Sequence, residues 1–328
     1  MPRFRRARGY VWYRSLVAAR IALDAPRAPN AAIGARLYES HYLTAAAPEG
    51  GRAVWLRYTS SKEAGQSPRG MLWFTVFDGA ATPLRRRTAT PGALVTPPSG
   101  AWAEIDGAVI APGRAQGALE DCRWALTWTG GSTALAYLPS ERLYDRRLPR
   151  SGGAALVPSA TFSGHLEAGA ESIDLNGWRG MIGHNWGSDH ADRWIWVHVT
   201  GLGRRDPEGW LDMVLARMRL GPLLSPWLPA GALVLDGRVR RISAGPGARG
   251  LRVELGAETL EVSLPHMPGG GLALATNSPA VSTVRWDYAG PGGGGREVRN
   301  CSISSARMTV GGAPAFELGG TVAVEIGA

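Results

Sequence analysis

After residue 30 the chain carries almost no sustained helical periodicity. Short runs of β-character follow one another instead: Leu37–Thr44, Arg52–Ser60, Met71–Asp78, Trp102–Ile105, Cys122–Thr129 and Thr133–Leu138. A second series opens with Thr161–Leu166, Gly177–Trp186, Arg193–Thr200 and Trp210–Arg219 and continues to Ala315–Ile326. Between the two series, the Pro-, Arg- and Gly-rich stretch from Leu138 to Ala160 reads as a connector. An internal echo supports two similar halves. RAVWLRYTS from Arg52 aligns without a gap on RWIWVHVTG from Arg193, and each is followed by a loop and a further apolar run. The pattern predicts an all-β chain: a short N-terminal arm (1–30), a first antiparallel barrel (31–155) and a second barrel (156–328). Closure into barrels hides the edges that so many strands would expose.

Aromatic and imidazole side chains concentrate in Asn176–Gly201, NGWRGMIGHNWGSDHADRWIWVHVTG. Side chains alternate faces along a strand. Trp194, Trp196, His198 and Thr200 therefore share one face, and Ile182, His184 and Trp186 share another. The turn 187–192 is expected to join the two runs as a hairpin whose ring-lined wall suits a large, mostly apolar molecule. The same rings also suit a packed core. Glu39 and His41 lie on one face of the first run and form a rival pair for a barrel interior.

At the N-terminus, Trp12, Leu16, Ala19 and Leu23 recur at helical spacing among arginines, which predicts an amphipathic helix lying on the protein or in weak contact with an anionic membrane surface. No run of about 20 apolar residues is present to span a bilayer, and no small-residue cleavage site follows the arm. The 328 residues carry a net charge of +9, from 36 basic and 27 acidic side chains. The basic residues are scattered rather than interleaved with stacking aromatics, so no nucleic-acid partner is expected. Cys122 and Cys301 form neither a disulfide framework nor a thiolate metal site, which places the chain in a reducing, cytoplasmic setting. The Gly-rich pieces Pro268–Gly271 and Gly290–Gly295 are loops, not nucleotide-binding turns. His184, His190 and His198 with Asp189 match no standard metal module, and no metal or other cofactor is expected. A hydrolase nucleophile elbow is absent too.

YESHYLTA (Tyr38–Ala45), RAVWLRYT (Arg52–Thr59), LWFTVFD (Leu72–Asp78), ATFSGHL (Ala160–Leu166) and GMIGHNWGSDHADRWIWVH (Gly180–His198) together resemble the carotenoid 1,2-hydratase-like, or hydroxyneurosporene synthase-like, superfamily. That group includes AttH-domain proteins, tocopherol cyclases and Diels–Alder cyclases of secondary metabolism. The resemblance implies two lipocalin-like barrels with an apolar cavity in or between them, and chemistry on isoprenoid, polyene or polyketide chains without a redox cofactor. His184, Asn185, Trp186, Gly187, Trp194 and Trp196 match the motif. The family's Gly-Tyr-x-Asp before His-Asn-Trp is not kept: Met181 and Gly183 stand in its tyrosine and aspartate places, so the family's acid is missing.

Two catalytic modes stay open. His184 or His190 moves a proton while Asp189 or Asp192 orients it. Alternatively, the cavity folds a flexible substrate while His184 and Asn185 polarise a carbonyl. The expected catalytic set is His184, Asn185, Asp189 and His190; the expected substrate-binding set is Trp178, Trp186, Trp194, Trp196, His198 and Trp55. A non-catalytic carrier of a hydrophobic small molecule is the alternative.

Overall fold

The computed structural model describes residues 23–24, 36–79, 81–91, 100–131, 133–144, 150–202, 209–289 and 295–327. Apart from a turn at Leu23–Asp24, the expected N-terminal helix lies outside them. The first twelve strands are β1 (Leu37–Ala46), β2 (Arg52–Lys62), β3 (Arg69–Asp78), β4 (Leu84–Pro91), β5 (Ala103–Ile105), β6 (Ala108–Ala111), β7 (Arg114–Leu119), β8 (Cys122–Gly130), β9 (Leu135–Ala136), β10 (Ser151–Ala168), β11 (Glu171–Asp174) and β12 (Arg179–Gly187). They form one antiparallel sheet in the order β4-β3-β2-β1-β12-β10-β8-β7-β6-β5, with β9 and β11 paired to β10. β5 folds back against β2 and β3, and β7 against β4, which curls the sheet into a barrel.

The remaining strands are β13 (Arg193–Leu202), β14 (Gly209–Arg217), β15 (Arg219–Leu220), β16 (Leu223–Leu224), β17 (Leu228–Leu235), β18 (Arg238–Ser243), β19 (Arg252–Leu255), β20 (Thr259–Leu264), β21 (Leu272–Asn277), β22 (Val284–Ala289), β23 (Gly295–Val310) and β24 (Phe316–Gly327). Their sheet runs β18-β17-β14-β13-β24-β23-β21-β20-β19, with β22 on β23 and a separate β15–β16 hairpin. Among the described residues helical structure is confined to short 3-10 turns, and no helix there is long and apolar enough to cross a membrane. The chain is all-β, two curled antiparallel sheets forming barrels side by side.

Burial shows why some strands alternate and others do not. β8 and β21 face a core on one side and water on the other, and their exposure alternates residue by residue. β1, β3, β12 and β13 are buried almost continuously. One face of each fills a barrel; the other packs on the opposite barrel. Leu43, Val54, Leu56 and Ile182 belong to the first core, and Ile195, Val197, Leu211 and Met213 to the second. Trp55, Trp73, Trp286 and Tyr288 form one cluster between the barrels, and Tyr42, Tyr137, Met181 and Trp196 another. The sequence echo lands here: β2 and β13 each turn their tryptophan, Trp55 or Trp196, toward the partner barrel.

The arginines that look scattered in sequence brace this junction. Arg85 lies over the Trp286 ring and Arg87 over Trp73, at 5.2 and 5.0 Å from the centroids. Both also donate to carbonyls of β22, at Arg285 and Asp287. Arg241 donates to the Ala136 carbonyl at 2.9 Å.

Two sequence expectations change. The division placed at 155/156 falls inside β10, whose partners β8, β9, β11 and β12 all belong to the first sheet. The chain passes from one sheet to the other at 188–192. β10 reads as a connector because its glycines and Pro158 weaken the β signal. Those residues answer to packing: a Cβ at Gly152 would sit 3.0 Å from the Trp186 ring, and one at Gly153 2.9 Å from Tyr137. Pro158 lies where the β10–β12 register slips. Secondly, β12 and β13 are not a hairpin. β12 pairs with β1 and β10, β13 with β14 and β24.

Candidate functional site

A cavity of about 390 Å³ lies between the barrels, within the roughly 300–1,000 Å³ range of small-molecule sites. β1 contributes Tyr38 and Tyr42, β2 Trp55 and Arg57, and β13 Trp194 and Trp196. Tyr137, Asn185, His190, Tyr288 and Glu325 add further polar groups. Period-two alternation aims these side chains: Tyr38 and Tyr42 leave β1 on the face opposite Glu39, His41 and Leu43.

Arg57 is buried, yet its guanidinium is held on several sides. Nε donates to Ser40 Oγ at 3.0 Å and Thr59 Oγ1 at 3.1 Å, and Nη2 donates to Ser40 Oγ at 2.9 Å. Its Cζ lies 4.2 Å over the Tyr288 ring. Arginine stays charged in proteins, so this is a fixed positive centre in an apolar wall. Glu325 supplies the nearby negative charge. It accepts from Trp194 Nε1 at 3.0 Å, Tyr288 OH at 3.1 Å and Asn300 Nδ2 at 3.3 Å.

A second carboxylate sits behind the wall. Asp212 on β14 has no solvent exposure. It accepts from Tyr137 OH at 2.7 Å and from Trp196 Nε1 at 2.8 Å. His198 Nδ1 lies 3.5 Å from it. Burial pushes the Tyr38 and Tyr42 hydroxyls above the usual phenol range. It does the same for Tyr137, beside Asp212, and for Tyr288, beside Glu325. All four remain protonated hydrogen-bond donors at neutral pH.

His190 lies against the Tyr38 ring, centroids 3.9 Å apart, and stacks on Trp194. Burial, with the Arg57 and Arg296 guanidiniums nearby, pushes its pKa down to about 3. It is a neutral imidazole at physiological pH. Because the unfolded chain binds that proton near pH 6.5, the stability gained from neutral His190 is complete above pH 6.5 and is lost as pH falls toward 3. The stability difference between wild type and His190→Gln, read from urea midpoints, should therefore shrink between pH 7 and pH 4. A constant difference would show that the imidazole is not held neutral.

The residues expected from sequence divide between the space between the barrels and the interior of the first barrel. Asn185, His190, Trp55, Trp194 and Trp196 line the cavity. His198 is buried behind it next to Asp212, and neither of its ring nitrogens has a hydrogen-bond partner among the described residues. Asp189 sits at the turn, accepting from the His190 backbone N–H at 2.9 Å and lying 3.7 Å from Arg150. Asp192 accepts from the Arg219 backbone N–H at 2.6 Å. His184, Trp178 and Trp186 point the other way, into the first barrel. There His184 Nε2 lies 2.8 Å from Glu39 Oε1 and Nδ1 lies 2.6 Å from the Leu23 carbonyl. The His41 ring stacks on His184 at 4.0 Å. The single aromatic wall expected of 176–201 is thus two walls on opposite sides of a sheet.

Sequence reasoning missed Arg57, Tyr38, Tyr42, Tyr137, Asp212 and Glu325. Two of them left a signal: Arg57 and Asp212 each interrupt an apolar strand run, where an unpaired charge is costly.

The missing acid has a structural counterpart. At Gly183 an added Cβ would fall inside the Tyr42 ring. The Tyr42 phenol covers the place where the resemblance puts an aspartate, and its hydroxyl faces that of Tyr137.

No protein-family model matches the chain. A crystal structure of a candidate AttH protein from Nitrosomonas europaea superposes with a TM-score of 0.61, covering 94% of this chain and 98% of its own at 16% identity. The fold is AttH-like. Two curated relatives from Mycobacterium tuberculosis, the uncharacterized proteins Rv0493c (strain ATCC 25618 / H37Rv) and MT0513 (strain CDC 1551 / Oshkosh), are each 26% identical over 284 residues. The match spans 84% of this chain and 81% of each relative. The AttH-like fold therefore extends over both barrels.

Proposed function

We propose that the inter-barrel cavity binds one large, mostly apolar molecule carrying an oxygen function, of isoprenoid, polyene or polyketide type, and promotes its cyclisation or isomerisation. The observation that carries this reading is the fixed Arg57 guanidinium set among aromatic walls. An apolar cavity encloses a flexible chain and brings distant atoms together, which converts an entropic barrier into binding. Arg57 supplies preorganised donors for an oxygen that gains negative charge, while Tyr137 and Tyr288, whose protons go to Asp212 and Glu325, hold the walls around it. Such donors act most strongly where water is excluded. Asn185 adds an amide to the same cavity. Simple protonation of an isolated alkene, as hydration requires, is less well supported, because Gly183 and the Tyr42 ring occupy the family acid's place.

The test is turnover of polyene, isoprenoid and polyketide extracts, followed by mass spectrometry of products and of molecules that co-purify with the chain. Wild type should yield an isomeric product. Arg57→Met should lower the rate about 10²–10³-fold, as loss of one oxyanion donor does. A ligand recovered chemically unchanged from every extract would make the chain a carrier.

A further inference from the structure

Glu39, His41 and His184 form a compact group inside the first barrel, on the face of the sheet opposite the cavity. Glu39 and His41 are two residues apart on β1 and so share a face. His184 on β12 is the direct cross-strand partner of His41. One candidate ligand atom from each of the three lies within 4.8 Å of the others, and all three residues are buried. Residues i and i+2 of one strand plus the opposing residue of its neighbour can aim three donors at one point above the sheet.

Three observations bear on what occupies that point. The His184 Nδ1 atom, 2.6 Å from the Leu23 carbonyl, has the carbonyl partner typical of a metal-bound imidazole. With Nδ1 donating there, Nε2 turns its lone pair to Glu39 Oε1, 2.8 Å away. Two acceptors that close need a cation between them, either a proton or a metal ion. Around a tetrahedral ion with bonds of about 2.0–2.1 Å the two atoms stand roughly 3.3–3.4 Å apart, so a metal would push Glu39 Oε1 and His184 Nε2 apart by about half an ångström. Finally, His41 Nε2 is buried with no hydrogen-bond partner among the described residues, a costly condition that coordination would relieve.

We propose that Glu39, His41 and His184 bind a divalent first-row transition ion, of which zinc is the working probe, at a site separate from the cavity and independent of the function proposed for it. Two imidazoles and a carboxylate are a donor set suited to Zn²⁺ and Fe²⁺. In sequence this set is hidden, because Glu39 and His184 are 145 positions apart. The sequence expectation of no metal is thereby revised. His41 lies between Trp102 and His184 in a stack of nearly parallel rings, so it must turn out of that stack to complete the site.

The test uses the full chain, stripped with chelator and titrated with Co²⁺ and then Zn²⁺. One equivalent of Co²⁺ should give a saturable visible absorption that one equivalent of Zn²⁺ displaces, and Zn²⁺ should raise the melting temperature. His41→Phe keeps a ring in the stack, and Glu39→Gln keeps the volume. Each should weaken Zn²⁺ by more than the roughly 10–100-fold that loss of an outer-shell partner costs. His165→Gln and His266→Gln should leave it unchanged. Absence of a saturable Co²⁺ spectrum in wild type would overturn the proposal and assign the gap to a proton. So would Zn²⁺ binding with equal affinity in His41→Phe and Glu39→Gln. Should both variants misfold, the wild-type spectrum decides alone.

Discussion

Asp212→Ala should lower the unfolding free energy by about 3–5 kcal/mol, the range for removing one member of a buried, hydrogen-bonded charged group. The carboxylate is fully enclosed and ties Tyr137 OH and Trp196 Nε1 together from the far side of the cavity wall. Alanine strands both donors in an apolar layer, where each unsatisfied group costs about 1–3 kcal/mol. Asp212→Asn keeps the volume and one acceptor and should cost less. Urea denaturation measures both. A loss under about 1 kcal/mol for the alanine variant would mean that these bonds do not hold the wall. Ligand binding should suffer in both variants, because Tyr137 and Trp196 line the cavity that Asp212 orients.

Gly183→Asp, which restores the acid that the family resemblance expects, should destabilise rather than activate. The new Cβ enters the Tyr42 ring, and overpacking of this kind typically costs about 1–3 kcal/mol. To clear the new Cβ the ring must break its edge-on contact with Trp196, centroids 5.7 Å apart, and turn into the cavity it lines. In the double variant Tyr42→Ala/Gly183→Asp the clash is gone. Its stability should exceed the sum of the single effects by a coupling of about 0.5–3 kcal/mol. Purely additive effects in that cycle would remove the link between the lost aspartate and the tyrosine.

Strand content and the two-barrel plan were legible because period-two alternation is local. β8, with one wet face, writes its geometry directly into CRWALTWTG. β10 was not legible, because its Gly152, Gly153 and Pro158 are chosen by the Trp186 and Tyr137 rings and by a register slip, not by local β propensity. The concentration of rings in 176–201 drew the candidate site to that stretch. What it could not show is that β12 and β13 belong to different sheets. His184 was accordingly grouped with His190 and His198, although it faces the first barrel's interior beside Glu39 and His41. The rival pair Glu39 and His41, visible on one strand face, acquires its third member only through the β1–β12 register.

Local side-chain alternation thus determined that this chain is all-β and that Trp194 and Trp196 share one strand face. Which of those faces meet was decided by strand pairing across more than a hundred residues, a non-local choice set by burying the outer face of each barrel on the other. The cavity and the Glu39–His41–His184 group exist only after that choice, because each takes its members from strands distant in sequence, and spacing along the chain carries no record of their proximity in space.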